Sequence, residues 1–210
     1  MEIVAGRRDR RRWAALGVAV LLLAGACSRN EGERVAIVGD SLVTFDEADL
    51  RTELGDNFDL VVSGNFGKQI LGAIPPAKFV AATNAGQVII NLGTNDVRAG
   101  TPVDRSMAAM KVLIGLYPHA RCIHLVNINE HMLDGATKQP STDAARRFND
   151  ALEQLAQTDD RLDIIDWNAK IEDTLEGNPP TSTLTTDSVH LTAEGNRAIN
   201  DLYGGAVRGC

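Results

Sequence analysis

Three polar segments of the sequence carry the residue types of a nucleophilic hydrolase: Gly39-Asp40-Ser41, Gly93-Thr94-Asn95-Asp96 and Asp187-Ser188-Val189-His190. A serine hydroxyl is a weak nucleophile until a base takes its proton, and that base needs an acceptor on its other ring nitrogen. Of the four histidines, His190 alone has an acidic residue three positions before it. Side chains that far apart can meet in a loop or a single turn. Ser41, His190 and Asp187 are therefore predicted to be a nucleophile, its base and the partner of that base.

A carbonyl under attack develops negative charge on its oxygen, which needs hydrogen-bond donors fixed in advance. The backbone N–H of Ser41, a glycine N–H from residues 63–67 and the side-chain amide of Asn95 would supply three. Gly64 and Gly67 are both candidates for that glycine. The arrangement requires no cofactor and no metal ion, and no cluster of His, Cys and Asp in the sequence has the spacing of metal ligands.

Five short apolar segments predict the buried strands that position these residues: 35–38, 60–62, 88–91, 122–126 and 162–165. Helical spacing of apolar residues predicts helices over 45–54, 103–116 and 144–156, and a last helix after Thr192. Continuous apolar strands separated by helices indicate a three-layer α/β domain with a parallel sheet of about five strands. Ligands of such sheets bind beyond the carboxyl ends of the strands, where all three polar segments are expected to meet.

In these motifs and their order, the chain resembles the SGNH, or GDSL-type, serine hydrolases over residues 35–202. Residues 39–41 match the first block of that family, residues 93–96 the third and residues 187–192 the last. The resemblance implies a flavodoxin-like fold with Ser41 as the nucleophile, His190 as the base and Asp187 as its partner.

The resemblance also implies that Asn95 and a glycine of the second block bind the oxyanion. The glycine of the family usually precedes a polar pair, and Lys68-Gln69 follows Gly67, which favours Gly67 over Gly64. The family often has Gly where Ser188 stands. We expect this difference to affect backbone geometry and not the chemistry of the triad.

The first 26 residues are predicted to be a signal peptide. The arginine-rich segment 7–12 precedes an apolar stretch, 14–26, that is shorter than the ~20 residues of a membrane span. Ala24 and Ala26 are typical of a cleavage site, and together with Cys27 they resemble a bacterial lipobox, although that motif prefers Leu at the position of Ala24. The sequence predicts export, with a lipid-modified Cys27 on the outer face of a bacterial membrane and residues 27–33 as a tether. The alternatives are ordinary secretion, with an incidental Cys27, and an uncleaved anchor.

Residues 34–210 are predicted to be one hydrolase domain, as the total of 210 residues favours a single domain. The chain has a net charge of −7, although residues 1–26 contain five Arg against Glu2 and Asp9. The remainder is therefore strongly acidic, and only 4% of the residues are aromatic. Both properties argue against a nucleic-acid partner.

Two cysteines remain once Cys27 is set aside. Cys122 opens the fourth predicted strand, and Cys210 is the last residue, after Gly204-Gly205. An exported protein meets oxidising conditions, which favours a Cys122–Cys210 disulfide reached by a flexible glycine-rich tail. The alternative is a buried Cys122 and a free Cys210.

These observations predict an exported esterase that hydrolyses carboxylic esters through an acyl-enzyme. The scarce aromatics, the acidic charge and the lack of a long apolar insertion favour a small-molecule or glycan ester, with a short acyl group on a cell-envelope sugar or lipid. Two alternatives stay open at this point. One is acyl transfer to a sugar hydroxyl by the same residues, and the other is a binding lipoprotein without turnover.

Overall fold

The computed structural model describes residues 32–134 and 137–210. Five parallel strands form the main sheet: β1 Arg34–Gly39, β2 Asp59–Gly64, β3 Gln87–Asn91, β4 Cys122–Val126 and β5 Leu162–Ile165. Their order across the sheet is β2-β1-β3-β4-β5. Successive strands are first added on one side of β1 and then on the other, so the topological switch point lies between β1 and β3. The predicted class, a flavodoxin-like α/β fold with five parallel strands, is confirmed.

Seven helices cover the sheet within the described ranges: α1 Ser41–Leu54, α2 Ile70–Ala81, α3 Thr94–Arg98, α4 Val103–Ile114, α5 Thr142–Ala156, α6 Trp167–Glu172 and α7 Ala193–Gly209. Two short strands, β6 Leu175–Glu176 and β7 Thr181–Ser182, pair in an antiparallel hairpin. The sequence did not predict α2, which contains Pro75 and Pro76. Proline removes backbone hydrogen bonds from a helix, but the buried apolar face of α2 outweighs this cost.

Alternate residues of the strands point to two separate cores. Ala36 and Val38 of β1 face the core formed with α2, α4 and α5, which includes Phe148. Val35 and Ile37 face the other core, formed with α1, α6 and α7. Both faces of the sheet are therefore buried, which explains why its strands are continuous apolar segments in the sequence.

The C-terminus differs from the predicted flexible tail. Helix α7 continues through Gly204-Gly205 to Gly209, and Cys210 forms a disulfide with Cys122 at the start of β4, with 6.3 Å between the two Cα atoms. Gly204 is buried against α1, because a Cβ at this position would lie 3.0 Å from Leu54 Cδ2. The close packing of α7 on α1 keeps these glycines helical, so a rigid helix brings Cys210 to the strand.

The predicted signal peptide and Cys27 lie outside the described residues, as do residues 27–31 of the tether. Among residues 32–134 and 137–210, no helix combines the length and the apolar character needed to cross a bilayer.

A polar pair is buried where α1 packs against α7. Asn200 Nδ2 donates a 3.1 Å hydrogen bond to Asp46 Oδ1, and each residue is only 1% exposed. Burial raises the pKa of Asp46 to about 7, and the charges of Asp49 and Glu53 act in the same direction. Asn200 Oδ1 is buried without a partner in the described structure. A protonated Asp46 carries the hydroxyl donor that this oxygen needs, so both observations favour a neutral Asp46.

We predict that Asp46→Asn stabilises the protein at neutral pH. The folded wild type keeps the Asp46 proton up to about pH 7, whereas the unfolded chain releases it near the ordinary value of 3.8. The unfolding free energy of the wild type therefore falls as the pH rises through this window, at about 1.4 kcal/mol per pH unit for one group. Asparagine supplies an acceptor and a donor without a proton to lose. Urea unfolding at pH 4.5, 6 and 7.5 measures the difference.

Asp49→Asn is the matched control. Asp49 accepts a 2.7 Å hydrogen bond from Asn196, so the same residue types pair between the same two helices, but at an exposed position. We expect the Asp49→Asn variant to keep most of the pH dependence of the wild type, because burial is the largest cause of the raised pKa of Asp46 and the Asp49 charge is a smaller one. An Asp46→Asn protein that loses stability in parallel with the wild type from pH 4.5 to 7.5 would show that Asp46 is ionised in the fold.

Candidate active site

Ser41 is the first residue of α1, directly after the end of β1. Asp40 caps the helix, because its Oδ1 accepts a 3.0 Å hydrogen bond from the backbone N–H of Leu42. Serine, aspartate and asparagine are favoured at such positions since their side chains bond the free N–H groups of a first helical turn. This cap fixes the tight turn that brings Ser41 to the carboxyl edge of the sheet.

Ser41, His190 and Asp187 form a continuous hydrogen-bonded chain. Ser41 Oγ lies 3.1 Å from His190 Nε2, and His190 Nδ1 lies 2.9 Å from Asp187 Oδ2. An ionised carboxylate only accepts hydrogen bonds, so Asp187 requires the proton on Nδ1 and leaves Nε2 free to accept from the serine. The three residues that the sequence predicts to act together therefore lie in the geometry of a nucleophile, a base and an orienting acid.

The Asp187 carboxylate is fixed by its own loop. Its Oδ1 accepts hydrogen bonds from the backbone N–H groups of Val189, at 3.1 Å, and His190, at 2.7 Å. Partial burial alone would raise the pKa of Asp187, but these bonds and the bond from the His190 ring lower it below its ordinary value. Asp187 is therefore ionised at neutral pH, as the orientation of His190 requires.

Ser188 adopts a left-handed backbone conformation, with φ at 68°. This explains why the family often has Gly here, because a side chain is disfavoured at positive φ. The buried Ser188 side chain adds a contact, since its Oγ accepts a 2.9 Å hydrogen bond from Leu133 N–H. Asn129 Nδ2 donates to the Ser188 carbonyl at 2.9 Å. The segment after β4 thus fixes the loop that carries His190.

The candidate oxyanion donors differ in whether they already donate a hydrogen bond within the protein. Within residues 32–134 and 137–210, the backbone N–H groups of Ser41 and Gly67 donate no hydrogen bond. Asn95 Nδ2 instead donates to Asp40 Oδ2 at 2.8 Å and to the Lys68 carbonyl at 3.3 Å. An oxyanion at Asn95 would have to replace the longer bond to Lys68, a requirement that the sequence does not indicate.

Asp40 connects the turn before Ser41 to Asn95. Its carboxylate is 1% exposed, and burial raises its pKa to about 6, against the effect of hydrogen bonds from Leu42 and Asn95. Above that pH the ionised carboxylate accepts from both, and a charged acceptor strengthens the bond that orients the Asn95 amide. Asp40 therefore positions two candidate site residues without being a base itself.

Asp96 fixes the loop that contains Gly67. Its Oδ2 accepts a 2.9 Å hydrogen bond from Ile70 N–H at the start of α2, and its Oδ1 accepts from Ser106 Oγ at 3.0 Å. These bonds join the segment after β2 to α4 through a residue placed after β3. The position of the Gly67 N–H relative to Asn95 is thus set by a buried carboxylate.

Two residues at the site have no counterpart in the sequence analysis. Phe45 lies one helical turn after Ser41, and its ring centroid is 5.4 Å from that of His190. Phe66 precedes Gly67 and contacts Phe45. The four-residue spacing from Ser41 to Phe45 is the signal that could have identified the first, since residues four apart share a helix face.

The described part of the chain contains no group of three or more His, Cys, Asp or Glu side chains that could bind a metal ion. The sheet order β2-β1-β3-β4-β5 is that of the flavodoxin-like doubly wound folds, and Ser41, Asn95 and His190 meet at its carboxyl edge. The model of the GDSL-like Lipase/Acylhydrolase family matches residues 37–198, and the chain belongs to this family.

Solved structures of other proteins share the fold. A GDSL-like lipase from Bacteroides thetaiotaomicron has a TM-score of 0.71 and 16% identity, over 84% of this chain and 88% of that one. An acetyl xylan esterase has a TM-score of 0.64 and 23% identity, over 83% and 99%. The catalytic domain of peptidoglycan O-acetyltransferase A from Streptococcus pneumoniae has a TM-score of 0.61 and 17% identity, over 85% and 94%. No protein of curated function matches the chain in sequence.

Alanine substitutions should show which of Gly64 and Gly67 is the oxyanion donor, because the two variants should differ in melting temperature and in kcat. A Cβ at Gly64 would lie 2.7 Å from the backbone nitrogen of Thr44, so Gly64→Ala should lower the melting temperature. Gly67 has φ at 66° and open space around it, so Gly67→Ala should fold. A side chain at positive φ costs about 1 kcal/mol. We expect the loop to relieve this strain by a change in its backbone angles, which displaces the N–H of residue 67.

We therefore expect Gly67→Ala to lower kcat for p-nitrophenyl acetate with little change in melting temperature, and Gly64→Ala to lower the melting temperature first. If the Gly67→Ala enzyme keeps the wild-type kcat, the Gly67 N–H is not an oxyanion donor.

Proposed function

We propose that this protein is an exported serine esterase that hydrolyses carboxylic esters through an acyl-enzyme. The observation that carries the proposal is the hydrogen-bonded chain from Ser41 Oγ through the His190 ring to Asp187. Membership of an acylhydrolase family supports hydrolysis as the general reaction. The chain of hydrogen bonds supports the roles of Ser41 as the nucleophile, His190 as the base and Asp187 as its partner.

In the first half-reaction Ser41 Oγ attacks the ester carbonyl carbon, and His190 Nε2 takes the hydroxyl proton. The carbonyl oxygen gains the charge, and it binds to the free N–H groups of Ser41 and Gly67 and to Asn95 Nδ2, which turns away from Lys68. The protonated His190 then gives its proton to the leaving alcohol oxygen as the ester C–O bond breaks. Asp187 stabilises the positive ring throughout.

In the second half-reaction water replaces the alcohol. His190 takes a proton from the water, the hydroxide attacks the acyl carbon, and the same donors bind the oxyanion. Collapse of this intermediate breaks the bond to Ser41 Oγ, which recovers its proton from His190. The carboxylic acid leaves and the enzyme returns to its starting state.

The proposed substrates carry a short acyl group on a cell-envelope sugar or lipid. A cavity lined by sequence neighbours of the site residues, among them Leu42, Thr94 and Val189, has a volume of about 10 Å³. This is room for about one water molecule, so this cavity offers no site for a long acyl chain. The names of two proteins with this fold, an acetyl xylan esterase and a peptidoglycan O-acetyltransferase, also support acetyl esters.

Acyl transfer is the second candidate, because the O-acetyltransferase domain has the same fold. The first half-reaction is common to both, and the outcome depends on whether water or a sugar hydroxyl reaches the acyl-enzyme. Product analysis with O-acetylated glycans, in the presence and absence of an acceptor sugar, distinguishes free acetate from a newly acetylated sugar.

Ser41→Ala should abolish ester cleavage, with a loss in kcat on the order of 10⁴–10⁶-fold. The change removes one oxygen and leaves the core intact, so the melting temperature should stay close to that of the wild type. A fluorophosphonate should label the wild type at Ser41 and leave the Ser41→Ala protein unlabelled.

Ser141→Ala is the control for that experiment, because the Ser141 side chain makes no capping hydrogen bond at the start of α5. It should keep both activity and labelling. Turnover by the Ser41→Ala protein at the wild-type rate would exclude the triad, and a wild type without turnover or labelling would favour the binding lipoprotein.

Export and lipid anchoring form the second part of the proposal. They rest on the sequence of residues 1–27, with its arginine-rich start, short apolar stretch and Cys27 after Ala24-Gly25-Ala26. A lipid-modified Cys27 would attach the enzyme to the outer face of a bacterial membrane.

We predict that Cys27→Ala moves the protein from the detergent-soluble membrane fraction to the soluble fraction in a bacterial host. Mass spectrometry of the mature N-terminus checks the modification directly. A wild type that is soluble and begins with an unmodified residue would establish ordinary secretion.

A further inference from the structure

Two exposed aromatic side chains lie beside the proposed base. Phe45 is 60% exposed and Phe66 is 67% exposed, and their ring centroids are 5.7 Å apart with an angle of 65° between the ring planes. Phe45 also meets the His190 ring edge-on at 5.4 Å. The two rings form a corner at the mouth of the site, which we call the aromatic corner.

The aromatic corner is not part of either hydrophobic core. Phe148, by contrast, lies on the inner face of α5 and is completely buried. A large apolar side chain that stays in water gains nothing from folding, whereas it gains when a ligand covers it. The five phenylalanines of the chain include two that meet at this one position, which points to a ligand contact.

We propose that Phe45 and Phe66 bind the alcohol part of the ester, and that this alcohol carries a ring with an apolar face, as a pyranose does. The inference rests on the proposed esterase function and specifies its substrate. His190 Nε2 must deliver a proton to the leaving oxygen, so that oxygen lies next to the imidazole ring. Phe45 touches the same ring, and the group attached to the leaving oxygen therefore lies within reach of the aromatic corner.

The shape of the aromatic corner favours a ring over a linear chain. Two phenyl rings at 65° offer one face and one edge, so a six-membered ring can contact both at once. The C–H groups on one face of a sugar ring are apolar and pack on an aromatic face, whereas its hydroxyl groups stay in water.

Two series of esters test this assignment. The first keeps the acetyl group and changes the alcohol: ethyl acetate, cyclohexyl acetate and a mono-O-acetylated methyl glucopyranoside. The second keeps ethanol and lengthens the acyl group from acetate to butyrate and hexanoate. The value of kcat/KM is measured for the wild type, Phe45→Ala, Phe66→Ala and the control Phe79→Ala.

Phe79 is a suitable control because it is 82% exposed and lies near the end of α2, about 14 Å along the helix axis from Ile70. Its loss should leave every ester unchanged. Each variant of the aromatic corner should lose about 3- to 10-fold in kcat/KM for the two ring alcohols, the size expected for one aromatic contact. Ethyl esters should change less than twofold, whatever their acyl length.

The comparison of the ring alcohols identifies the ligand further. A loss for cyclohexyl acetate that is matched by the acetylated glucoside supports a sugar subsite. A loss confined to cyclohexyl acetate overturns the pyranose assignment.

Equal losses for ethyl and ring esters would mean that Phe45 and Phe66 only position His190, and a loss that grows with acyl length would assign them to the acyl group. Either result overturns the subsite and leaves the esterase intact. If the wild type turns over no ester, the proposed function fails and the subsite fails with it.

Discussion

The site depends on one buried carboxylate that satisfies two parts of the chain at once. Asp40 accepts from Leu42 N–H through one oxygen and from Asn95 Nδ2 through the other, so it both starts α1 and orients an amide from α3, which follows the neighbouring strand β3. Burial is unfavourable for the charge, as the rise of its pKa to about 6 indicates, and the two hydrogen bonds offset part of this cost. The position of Ser41 relative to Asn95 therefore depends on the two hydrogen bonds that the buried Asp40 carboxylate accepts.

Short polar side chains extend the same principle to the remaining loops. Asp96 accepts a hydrogen bond from the first N–H of α2, and Ser188 and Asn129 join the loop of His190 to the segment after β4. Each bond links segments that follow different strands, so none of the loops is positioned by its own residues alone. Backbone groups that cannot pair in a strand or helix obtain partners in this way, and the edge of the sheet becomes rigid where the chemistry is proposed.

The sequence predicted the parts of the molecule that local pattern determines. Strands β4 and β5 begin and end where their apolar segments do, and Asp187 and His190 meet because three residues separate them within one loop. Helix α2 escaped prediction since Pro75 and Pro76 oppose a helix locally and only tertiary burial outweighs them. The partners of the Asn95 amide could not be predicted from the sequence either, because Asp40 and Lys68 lie far from it in the chain. The catalytic roles themselves stay predictions.

The path of α7 determines how the molecule faces its surroundings. The chain enters the sheet at Arg34, the first residue of β1, and α7 ends at the disulfide with the first residue of β4, so both points lie at the amino ends of parallel strands. The proposed triad lies at the opposite ends of the strands, a strand length of about 20 Å away. Whatever is joined to the chain before Arg34 or after Cys210 is thus attached to the back of the domain. A surface or a carrier protein joined there leaves the edge with the proposed triad pointing away from it. Large polymers can then reach that edge without passing the point of attachment.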